Sequence, residues 1–110
     1  MHADREHLTQ LIEEYYRGCG WQPNREADGT IRARGLGGMT WIGLPVLAED
    51  IASPGFGNRL GGLSEERMPT GERCPLELLP HETCAAELRD LLDELRLSDR
   101  GHVELYALAA

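Results

Sequence analysis

Met39-Thr40-Trp41-Ile42-Gly43-Leu44 is the stretch on which the fold turns. Read at a period of two, Met39 and Trp41 point to one side, and Ile42 and Leu44 to the other. A strand that is apolar on both faces is either central in its sheet or covered by another layer. The rest of the chain must supply that cover.

Upstream, residues 30–35 alternate, with Ile31 and Ala33 on one face and Arg32 and Arg34 on the other. This predicts a half-buried strand with a basic outer face. Residues 21–25 form a shorter strand, and Pro23 marks it as an edge. Ala27-Asp28-Gly29 joins the two as a turn, because Asp-Gly readily takes positive φ. Leu36-Gly37-Gly38 turns the chain into residues 39–44. Before this meander, Leu8, Leu11, Ile12, Tyr15 and Cys19 recur at helical spacing over residues 4–17. Asp4 opens that helix, and Gly18 and Gly20 end it.

Downstream, glycine and proline punctuate residues 46–79, which read as one long irregular segment. Within it, residues 76–79 could add an edge strand. A loop of this length is uncommon in a compact domain unless it is functional or disordered. Residues 80–97 form the clearest helix, with Pro80 at its first position and Cys84, Leu88, Leu91, Leu92 and Leu95 as its apolar stripe. Residues 102–108 read as a last strand, with Val103, Leu105 and Ala107 inward. The expected fold is therefore α+β in one domain. Two helices pack on one face of a mostly antiparallel sheet, in the order helix, β-meander, long Gly/Pro-rich loop, helix, strand.

Charge narrows the function. Among 110 residues, 19 are acidic and 11 basic, for a formal net charge of -8. Phosphate contacts need a positive face, so nucleic acid and anionic membrane surfaces are excluded as partners. All the basic residues are arginine, which removes Schiff-base and P-loop lysine chemistry. No apolar run approaches the roughly eighteen residues of a membrane span. The first residues carry no basic then apolar leader pattern, so a cytoplasmic protein is expected. Three cysteines without a close pair are not a disulfide framework.

Two side-chain groupings carry candidate chemistry. Cys19, Cys74, His81 and Cys84 compose a Cys₃His set of the kind that holds structural zinc. Cys19 and Cys84 also continue apolar stripes, where a buried free thiol is the ordinary outcome. Cys74 precedes Pro75 in the irregular segment and could act as a nucleophile with His81 as its base. No acid that would orient His81 is identifiable. The glycines at 55, 57, 61 and 62 lack the strand and helix context of a phosphate loop, and no cofactor is expected.

The remaining signal is apolar surface in excess of evident cover. Trp41, Ile42 and Leu44 fill both faces of one strand, while Phe56, Leu60 and Leu63 sit in the glycine-rich segment. Folded back, that segment completes the core; otherwise it leaves a groove for a partner. The expectation is a small acidic accessory, adaptor or chaperone-like protein that binds another protein or itself. Arg32, Arg34, Trp41, Ile42, Phe56 and Leu60 are its candidate contact residues. The alternatives are a small enzyme or ligand-binding subunit with residues 46–79 as a lid, and a Cys/His metal domain.

Overall fold

The computed structural model describes residues 2–106. It is α+β, with four helices and a five-stranded mixed sheet in the order β1-β2-β3-β4-β5. Helix α1 spans His2–Gly18, and strands β1, β2 and β3 span Gln22–Arg25, Ile31–Arg34 and Thr40–Val46. Helices α2 (Ala48–Ala52) and α3 (Phe56–Ser64) lead to β4 (Leu76–Pro80), and α4 (Ala85–Glu94) leads to β5 (Val103–Leu105). Ala107, expected in the last strand, lies outside the described residues.

The meander forms as its residues dictate. Gly29 takes φ +88° in the first turn, and Asp28 Oδ1 accepts from the Thr30 N–H and hydroxyl at 3.0 and 2.6 Å. Strands β1, β2 and β3 pair antiparallel, with Ala33 opposite Trp41. Beyond β3 the sheet changes sense: β3 pairs parallel with β4, and β4 parallel with β5. The expected mostly antiparallel sheet is thus corrected to a mixed one, and β4 is an interior strand rather than an edge. A parallel neighbour requires a crossover, which the 46–79 segment supplies.

The first half of that segment is helical rather than irregular, while residues 65–75 remain without helix or strand apart from an isolated Arg67–Arg73 bridge. Phe56, Leu60, Leu63 and Ser64 fall on one face of α3 and are buried. Three glycines within α3 each cost about 1 kcal/mol of helix propensity. Full burial of Phe56, Leu60 and Leu63 stabilises by about 1.5–3 kcal/mol each, which outweighs that cost.

Helices cover both faces of the sheet, not one. Ile42, Leu44 and Val46 join Leu76, Leu78 and Val103 in a cluster with residues of α3 and α4. Ile31, Ala33 and Leu79 pack instead with Leu8, Ile12 and Tyr16 of α1. The buried stripe of α1 runs through residues 8, 12 and 16. Tyr15, expected inward, is 37% exposed, and Cys19 is exposed. Charge ties the layer down from outside: Arg25 on β1 binds Glu6 and Glu13, and Arg5 binds Asp50 at 2.8 Å.

The last helix starts later than expected. Pro80 ends β4, and His81 caps a 3₁₀ turn at Glu82–Cys84 that leads into α4. Arg96 closes α4 in the left-handed region at φ +59°, with the Leu97 N–H donating to the Leu92 carbonyl at 2.9 Å.

Candidate functional site

One carboxylate stands in an otherwise apolar strand. Glu77 of β4 is 8% exposed, with Leu76, Leu78 and Leu79 around it in sequence. The Tyr16 hydroxyl donates to its Oε1 at 2.5 Å, and the Tyr106 hydroxyl donates to its Oε2 at 2.7 Å. Burial pushes the Glu77 carboxyl above its ordinary range, while the two phenols, by bonding the ionised form, act in the opposite direction. Burial and the neighbouring carboxylate raise Tyr16 as well, so its proton stays in place as the donor.

Gly43 makes this geometry accessible. It pairs with Glu77 across the parallel β3–β4 ladder. A Cβ there would lie 2.8 Å from Ile12 Cγ2 and 2.9 Å from the Tyr16 hydroxyl. Only a glycine lets α1 settle this close to the sheet.

Every tyrosine and tryptophan of the chain lies in a single file of ring contacts. Tyr106 meets Tyr15 at a centroid separation of 5.7 Å, Tyr15 meets Tyr16 at 5.8 Å, and Tyr16 meets Trp21 at 5.7 Å. Trp21 then stacks on Trp41 at 3.5 Å, with their planes 12° apart. The Trp21 backbone N–H donates to the Tyr16 carbonyl at 3.0 Å, which fixes the chain at the end of α1.

The file ends beside an unusual turn. Leu36–Gly38 is a 3₁₀ turn held by positive φ at Gly37 and Gly38 and by the bond from Gly35 N–H to the Met39 carbonyl. The Cβ position of Gly35 lies 3.0 Å from the Trp41 ring and 3.6 Å from Trp21. The next residue, Leu36, is 95% exposed. A leucine is thereby presented to solvent on a constrained turn that rests against two partly exposed indoles.

The residues singled out from sequence separate into three groups. Ile42, Phe56 and Leu60 are core side chains and are not available to a partner. Arg32 makes a two-pronged ion pair with Glu66, at 2.7 and 2.9 Å, and is occupied within the chain. Trp41 and Arg34 stay at the surface: Trp41 is half-buried in the file, and Arg34 is exposed opposite Thr40.

The Cys/His set is not assembled. Among the described residues, no three His, Cys, Asp or Glu side chains gather as metal ligands. Cys74 and Cys84 are buried and their thiols are pushed up by that burial, which opposes formation of a nucleophilic thiolate. Cys84 Sγ is 3.5 Å from the carbonyls of Val46 and His81, where it serves as a weak donor. Glu77, Tyr16, Tyr106, Trp21 and Leu36 were not foreseen as a group. The lone acid in Leu-Glu-Leu-Leu was the one local signal.

No family model, curated protein or solved structure matches this chain.

Proposed function

We propose that this protein is a small accessory or adaptor module that acts by binding another protein through the surface formed by Leu36, Trp21 and Trp41. The exposed Leu36 beside the stacked indoles is the observation that carries this reading. Tryptophan, tyrosine and arginine dominate the binding energy of protein interfaces, because they offer large rigid apolar area with a polar handle. Here they are already ordered, so little side-chain freedom is lost on contact. A net charge of -8 favours encounter with a partner that carries a basic surface. A cytoplasmic setting suits three free cysteines.

The test compares two baits in quantitative affinity capture from the source organism. One is the wild-type chain and the other is Leu36→Asp, which alters a side chain in solvent and leaves the fold intact. A polypeptide enriched on the first and lost from the second supports the reading. Equal recovery on both baits, or self-association abolished by the same substitution, would overturn it, the latter in favour of a second copy as the occupant.

A further inference from the structure

A concavity lies at the Tyr106 end of the aromatic file. It encloses about 520 Å³ between α1, the carboxyl ends of β4 and β5, and the start of α4. Cavities of about 300–1,000 Å³ take small organic molecules, and in sheets with parallel strands ligands collect beyond the carboxyl ends. Leu11, Leu79 and the ring of Tyr106 give it apolar walls. Its polar lining includes His81, Arg89 and Glu82.

The tautomer of the His81 ring follows from its bonds. His81 Nδ1 accepts from the Thr83 backbone N–H at 3.2 Å and lies 2.8 Å from the Thr83 hydroxyl. A neutral ring therefore carries its proton on Nε2, as a donor. Arg89 is exposed and has no ion pair among the described residues. The lining thus offers one guanidinium and two imidazoles, those of His81 and His7, against one carboxylate.

We infer that this groove binds a small organic monocarboxylate with an apolar body. The carboxylate sits against Arg89 and His81, and the body lies on Leu11, Leu79 and Tyr106. Guanidinium matches carboxylate geometry in two bonds. A phosphate group carries roughly 1.5–2 negative charges, and Glu82 beside a single guanidinium opposes that excess. A neutral amphiphile would use the apolar walls and leave Arg89 unmatched. Because this site is distinct from the Leu36 surface, either assignment can fail without the other.

The probes are decanoate, decan-1-ol and decyl phosphate, each titrated into the full-length protein while amide NMR shifts are followed. Decanoate is expected to move the amides of Leu11, His81 and Arg89. It should bind about tenfold more tightly than decan-1-ol, and Arg89→Ala should remove about that factor. The same probes on Leu11→Asp should show loss of all three ligands. No shift at the groove, decan-1-ol bound as tightly as decanoate, decyl phosphate preferred over it, or an unchanged affinity in Arg89→Ala would each overturn the assignment.

Discussion

The Tyr16 hydroxyl lies 2.5 Å from Glu77 Oε1, above the one position, Gly43, where a side chain would have kept them apart. This contact joins α1 to the interior strand β4. It also anchors the middle of the aromatic file, so the Trp21–Trp41 end inherits its placement from a hydrogen bond made in the core.

Removing either side of this arrangement should cost stability. Tyr16→Phe leaves a buried carboxylate oxygen short of a donor, and a loss of about 1–3 kcal/mol is expected. Gly43→Ala forces Ile12 and Tyr16 to shift, at a similar cost of about 1–3 kcal/mol. Urea denaturation of both variants measures this. A change below about 0.5 kcal/mol in both would mean that the contact does not hold α1 to the sheet.

The pH dependence of stability should carry the signature of Glu77. Its carboxyl is raised by burial, so the folded chain keeps that proton to higher pH than the unfolded chain does. The Glu77 contribution therefore makes stability fall as pH rises from about 4.3 toward the raised value. Glu13, Asp28 and Glu66 act in the opposite sense. Hydrogen bonds from Arg25, Thr30 and Arg32 hold them below their ordinary range, so their stabilisation is present above that range and lost as pH falls through the lowered values. Glu77→Gln removes only the first effect. The stability of the wild type minus that of the variant should decline as pH rises, and a difference flat with pH contradicts the assignment.

Two backbone positions leave room for improvement. Nothing lies within 4 Å of a Cβ at Gly61 in α3, so Gly61→Ala should stabilise by about 0.5–1 kcal/mol. Arg96 occupies the left-handed cap of α4, where Arg96→Gly should gain about 1 kcal/mol. Thermal unfolding reads both, and a lower midpoint in Gly61→Ala would mean that the α3 surface makes contacts beyond the described chain.

The legible part of the fold was the part set by local pattern. The alternation of Ile31 and Ala33, the Asp28-Gly29 turn and the two-faced strand around Trp41 each follow from neighbouring residues. The parallel half was hidden because α3 contradicts its own propensities. Gly57, Gly61 and Gly62 argue against a helix, and only the sheet they are folded onto makes burial of Phe56 and Leu60 decisive. The candidate surface was half visible. Trp41 stood out as apolar excess, but its stacking partner Trp21 lies twenty residues upstream, and their meeting depends on the path of α1. The Cys/His set failed for a similar reason: Cys74 and Cys84 serve the core, where their spacing along the chain has no bearing on ligation.

The central claim is that Leu36 and the indoles beside it contact another protein. A photo-crosslinking amino acid placed at position 36, in cells of the source organism, tests this most directly. The expected result is a covalent adduct of this chain with one defined polypeptide, absent when the same residue is placed at the exposed Glu49 beyond the far end of β3. An adduct at both positions, or none at position 36, would contradict the claim.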